Sequence, residues 1–278
     1  MKKERITKRS KSFSNLPIGI FDSGIGGLTV LKAIMKKLPN ENLIYFGDTA
    51  RLPYGTKSSS AVKAYSLEIA RFLVRKKAKI IVVACNTASS NALEFLKKRI
   101  RLPIVGVVLP GVRYALSKAG ERKFGVIGTE ATIKSESYKR MLNKFSDIPI
   151  KVYQRACPLF VPLVEEGWLN NKIARDTVSF YLKNFKSLKL DVLILGCTHY
   201  PLLKDLIRKV LGPEILIVDS AKAAAEEVAA LLKQKGISAS RKIRGSRTYY
   251  VTDSPEKFKQ LARAFLVEPV RKIKLVRF

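Results

Sequence analysis

The chain has 278 residues, with 53 Lys or Arg against 22 Asp or Glu, so its formal net charge is +31. At roughly 150 residues per domain there is room for two domains, and 47% hydrophobic residues supply a sizeable core, which excludes a disordered chain. No apolar run approaches the ~18 residues of a membrane-spanning helix, and the basic opening MKKERITKRSKSFSNLP lacks the apolar stretch of a secretory signal.

The three cysteines, Cys85, Cys157 and Cys197, are too few for a disulfide framework and are expected as thiols in a reducing, cytoplasmic setting. A single histidine, His199, excludes a His-rich metal site, and no metal is expected. The charge predicts a salt-sensitive pull on polyanions. The basic residues are spread along the whole chain without interleaved aromatics, so non-specific electrostatic binding is expected and specific nucleic-acid binding is not.

In chain order, residues 1–15 read as a basic tail. From Pro17 onward, apolar β-branched runs alternate with stretches of helical period. Strands are predicted over 18–22, 42–48, 79–85, 104–108, 124–129, 150–156, 192–197, 215–219, 249–252 and 272–276. Helices are predicted over 28–38, 61–77, 88–100, 132–145, 172–185, 202–210, 221–235 and 255–265. The second of these carries Val62, Tyr65, Ile69, Phe72 and Leu73 on one face. Alternating strands and helices give an α/β protein with largely parallel sheets, and the uninterrupted apolar strands call for cover on both faces.

Two segments echo each other. IIVVACNTAS (80–89) and VLILGCTHYP (192–201) both run from a buried strand through a small residue to Cys, with Thr within two positions. Open α/β sheets place ligand sites at this carboxyl end. The simplest arrangement is two α/β lobes of similar plan, each offering a thiol to one cleft. Cys157, before Pro158, reads instead as a small buried hydrophobe. DSGIGG (22–27) joins a strand to a helix but lacks the pattern of a dinucleotide loop or a P-loop; it reads as a tight turn with Asp22 and Ser23 facing the cleft. Tyr54-Gly55 reads as a turn. Thr129 and Thr132 are candidates to cap a helix or bind a carboxylate. Glu165 reads either as a solvated helix end or as a site residue, and His199 beside Cys197 is placed to bias a proton transfer.

IGIFDSGIGGLTVL, YFGDTARLPYG, VVACNTAS, GVIGTEATIKSESY, CPLFVPLVEEG, LGCTHYPLL and YYVTDSPEKF occur in this order between about Pro17 and Phe265. Together they resemble the cofactor-independent aspartate/glutamate racemase family. The resemblance implies two pseudo-symmetric α/β lobes with the active-site cleft between them, a first lobe of 16–109 plus 219–278 and a second of 110–218. It implies racemisation of glutamate for peptidoglycan synthesis without a cofactor, in a homodimer away from any membrane; aspartate and hydantoins are the alternative substrates. Cys85 and Cys197 would be the acid/base pair, assisted by Asp22 and His199. Asp22, Ser23, Tyr54, Gly55, Asn86, Thr87, Thr198 and His199 match substrate-contacting positions, and Thr129, Thr132 and Glu165 match positions near the substrate. The chemistry agrees: inversion at Cα needs a proton removed on one face and delivered on the other, and two thiols on opposite lobes meet that geometry. A hydrolase using Cys197 with His199 would leave Cys85 idle, and chain neighbours rarely meet in nucleophile–base geometry.

Overall fold

The computed structural model describes residues 13–119, 123–266 and 269–278. Two sheets carry the fold, and every strand pairing in both is parallel. The first has the order β10-β9-β2-β1-β3-β4, from Ile18–Asp22 (β1), Leu43–Gly47 (β2), Ile80–Val83 (β3), Ile104–Gly106 (β4), Arg247–Val251 (β9) and Ile273–Leu275 (β10). The second has the order β6-β5-β7-β8, from Lys123–Gly128 (β5), Lys151–Ala156 (β6), Val192–Gly196 (β7) and Leu216–Asp219 (β8). All ten predicted strands are present. The inner strands β1, β3 and β7 are buried at every residue, because helices cover both faces of a parallel sheet. The edge strand β6 is only partly buried, and its sequence KVYQRA mixes apolar and polar residues accordingly.

The chain passes between the sheets twice, through the helices Val108–Leu116 and Ser220–Gln234. These pack on each other, and the second also packs on Leu28–Lys37. Leu28, Leu31, Ala224, Ala225, Val228 and Leu232 belong to one apolar core that also holds Leu193, Leu195 and Leu203 of the second sheet's side. One hydrophobic cluster thus joins the lobes behind the cleft. No described helix is long and apolar enough to cross a membrane.

Several helices depart from the sequence-based expectation. The helix expected over 88–100 is two, Asn86–Asn91 and Leu93–Lys97. The one expected over 132–145 breaks at Glu136, whose φ of 54° is left-handed, into Glu130–Lys134 and Ser137–Phe145. Val108–Leu116 and Phe160–Glu165 are helices outside the predicted spans, and each contains a proline, Pro110 and Pro162. Each proline is the third residue of its helix, where the missing N–H would have had no intrahelical acceptor.

The amino end of the first sheet is fastened by a buried ion pair. Lys79 Nζ donates to Glu41 Oε2 at 2.5 Å, to the Ser14 carbonyl at 2.5 Å and to the Ile237 carbonyl at 2.8 Å. Glu41 Oε1 accepts the Ala239 N–H at 2.7 Å. Burial pulls the Lys79 ammonium below its usual value, and Glu41 opposes that pull. Ser14 and Asn15, at the end of the expected tail, are therefore tied down, Asn15 through its carbonyl to Asn42 and Arg241; residues 1–12 lie outside the described residues. Both charges are almost fully buried, so removing one strands the other. Lys79→Met is expected to lower stability by about 3–5 kcal/mol in urea unfolding. A loss below about 1 kcal/mol, the range of an exposed pair, would refute this assignment.

Candidate active site

Both echoing cysteines sit where their strands end. Cys85 follows β3 and Cys197 follows β7, and both are buried. They share one small cavity at the carboxyl ends of the two sheets. The first lobe contributes Ser23, Tyr54, Gly55, Cys85, Asn86 and Thr87 to its wall, and the second Thr129, Glu165, Cys197, Thr198 and His199. Two expected site residues stand behind the wall. Asp22 accepts from Thr198 Oγ1 at 3.4 Å, and Thr132 backs Thr87 and Thr129. Leu52, Pro53 and Val161 also line the cavity; nothing in their residue types pointed there. The enclosed space is about 20 Å³, room for one water.

Cys85 is the N-cap of the helix that follows it, and its Sγ accepts the Ala88 N–H at 3.5 Å. Its thiol reaches Ser23 Oγ at 3.7 Å. Burial, and then the charge of Asp22, push the thiol up to about 12, although the Ala88 N–H and Ser23 pull the other way. At neutral pH Cys85 therefore carries its proton. Asp22 is fully buried, and desolvation raises its carboxyl above the usual value. His199 and the N–H groups of Gly24 and Gly27 act in the opposite sense, with Gly24 N–H donating to Asp22 Oδ2 at 3.0 Å.

The surroundings of Cys197 differ. Its Sγ lies 3.8 Å from His199 Nδ1, and His199 Nε2 lies 3.1 Å from Glu165 Oε1. Cys197 and His199 thus do meet, despite being near neighbours in the chain, and Glu165 is a partner rather than a solvated helix end. Burial pushes the imidazole down, but the hydrogen bonds and charges of Cys197 and Glu165 outweigh it and raise His199 to about 10.

The two walls interlock. Thr87 of the first lobe and Thr129 and Thr132 of the second form a ring of hydroxyls at 2.9, 3.2 and 3.0 Å. Thr129 also caps Glu130–Lys134 by accepting the Thr132 N–H. A Cβ on Gly55 would sit 2.6 Å from Thr129 Cβ, and one on Gly26 would sit 2.3 Å from Thr198 Oγ1 and 2.6 Å from His199 Nδ1. Only glycine permits these approaches. Tyr54 turns its hydroxyl away from the cavity to donate to Asp48, so its ring forms the wall. Cys157 is wholly buried among apolar residues.

Residues 23–228 match the family described as Asp/Glu/Hydantoin racemase. The chain belongs to that family. This racemase, an isomerase that works without a cofactor, is 50% identical over 249 residues to a glutamate racemase from Geobacter metallireducens, covering 90% of this chain and 92% of the relative. It superposes on the crystal structure of glutamate racemase from Francisella tularensis in complex with D-glutamate with a TM-score of 0.89 at 37% identity, covering 95% of this chain and 98% of that one. Against glutamate racemase from Thermus thermophilus in complex with β-chloro-D-alanine the TM-score is 0.85 at 46% identity, with coverages of 95% and 97%. The two-lobe racemase fold is therefore this chain's fold.

Because the racemase has one histidine, its imidazole can be titrated by NMR without assignment. The folded value lies above the 6.5 of an ordinary histidine, so the stability this proton contributes is complete below that pH and is lost as pH rises through about 10. The expected midpoint is near 10, falling in Glu165→Gln; a wild-type midpoint near 6.5 would contradict the Cys197–His199–Glu165 arrangement.

Proposed function

We propose that this racemase interconverts L- and D-glutamate, with Cys85 and Cys197 as the two acid/base groups. The observation that carries this reading is one cavity with a buried thiol from each lobe. Its support on the substrate side is the identity to glutamate racemases and the likeness to a D-glutamate complex. The lobes are taken as residues 16–109 with 219–278, and 110–218. One thiolate removes the Cα proton from one face, and the thiol opposite returns a proton to the other face. Cys85 rests in the protonated form and so begins as a donor. Cys197, with His199 against it and Glu165 holding His199, is the opposite member of the pair. After turnover the roles are exchanged, and the reverse reaction starts from that state.

The carbanion at Cα spreads onto the α-carboxylate. Donors from Asn86, Thr87 and Thr198 on the wall stabilise it as charge develops. The cavity is far smaller than a glutamate, so the lobes part to admit substrate and close to exclude water. The seam on the cleft side consists of hydrogen bonds such as Ser137 Oγ to the Ser90 carbonyl at 2.8 Å and Asn91 Nδ2 to the Ala131 carbonyl at 3.2 Å, which water can replace. D-Glutamate made in the cytoplasm would feed peptidoglycan synthesis, and a homodimer is the expected assembly. Aspartate or a hydantoin is the alternative substrate within the same chemistry.

The 3.8 Å contact of Cys197 with His199 favours one other reading, a thiol hydrolase. Under that reading Cys85 is dispensable. Proton NMR in D₂O with L-glutamate, and aspartate in parallel, separates the cases. Loss of the α-proton signal with growth of D-glutamate is expected from the wild type, falling at least about 100-fold in Cys85→Ser and in Cys197→Ser. Exchange on aspartate alone would move the substrate, and a fully active Cys85→Ser variant would end the two-thiol mechanism.

A further inference from the structure

Tyr138 is wholly buried at the start of Ser137–Phe145 and is not part of the cavity wall. Its hydroxyl nevertheless crosses the lobe boundary and donates to Asn86 Oδ1 at 2.6 Å. Ser220 Oγ lies 3.4 Å from the same phenol oxygen. Ser220 opens the helix by which the chain leaves the second sheet, so the three side chains join the crossover, the second lobe and the residue next to Cys85. Burial raises the Tyr138 phenol above its usual value and keeps it a donor.

An Asn side chain has an accepting end and a donating end. The Tyr138 proton occupies the accepting end of Asn86, while the Asn86 side-chain nitrogen makes no hydrogen bond to another described residue. Asn86 itself lines the cavity. A site for a dicarboxylate needs donors on its wall, and the wrong face of this amide would repel the ligand. We infer that Tyr138 is a positioning residue: its hydroxyl turns the donor end of Asn86 to the substrate carboxylate, and it does so only while the lobes are docked. This rests on the glutamate reading of the cleft. Lobe closure and completion of the carboxylate site are then one event, because the donor is held by a residue of the opposite lobe.

The test is a double-mutant cycle of Tyr138→Phe with Asn86→Ala, read as kcat/KM for glutamate. Leaving the Asn86 oxygen buried without its donor is expected to cost roughly ten- to hundredfold in Tyr138→Phe. The double variant should be no worse than Asn86→Ala alone, and the pH profile of kcat/KM should keep its shape, since neither thiol is touched. Multiplying losses, or wild-type activity in Tyr138→Phe, would overturn the inference. Should Tyr138→Phe not fold, Ser220→Ala leaves the ring in place and is expected to lose roughly two- to tenfold; no loss there would overturn it equally. The side-chain NH₂ resonances of Asn86, recorded without substrate, should move in Tyr138→Phe, and unmoved resonances would refute the hydrogen bond. A wild type inert on glutamate would overturn the substrate reading instead, and the Asn86 resonances would still decide whether Tyr138 holds the amide.

Discussion

The site depends on the contact of one glycine. Gly26, in the loop after β1, lies so close to Thr198 and His199, in the loop after β7, that a methyl group would overlap both. This contact brings the buried Asp22 within 3.4 Å of Thr198 and under the influence of the His199 charge. The contact seats the loop that carries Asp22 and Ser23, the latter 3.7 Å from the Cys85 thiol, against the loop that carries Cys197, and backbone without a side chain is the means. Gly55 against Thr129 repeats the device on the other rim.

The two sides of the lobe boundary are built from different forces. Behind the cleft, the helices Leu28–Lys37, Val108–Leu116 and Ser220–Gln234 pack together, and an apolar core runs from the first sheet to the second. Apolar contact has no replacement in water, so that side stays shut. On the cleft side the contacts are hydroxyls, amides and carbonyls, each of which water can satisfy at small net cost. The same side carries Asn86, Thr87 and Thr198, which line the cavity.

The charge distribution carries a further lesson. A net charge of +31 describes the surface, yet the acids that shape the site are the buried Asp22 and the partly buried Glu165. Asp22 helps hold Cys85 in its protonated form, and Glu165 helps hold the proton on His199. The two thiols are chemically alike and their settings are not.

Strand positions, the parallel arrangement and the two candidate thiols can be read from residues alone. Buried parallel strands are written as uninterrupted apolar runs, and a Cys followed by polar residues at the end of such a run marks the edge where sheets bind ligands. Helix limits were less accessible: Pro110 and Pro162 are harmless in a first turn, and the left-handed Glu136 carries no composition signal. The contact of Cys197 with His199, the partnership of His199 with Glu165 and the reach of Tyr138 to Asn86 were decided by tertiary structure. Each joins side chains whose meeting depends on loop conformation or on the docking of two lobes, and hydrophobic periodicity records which face of an element is buried, not what it is buried against.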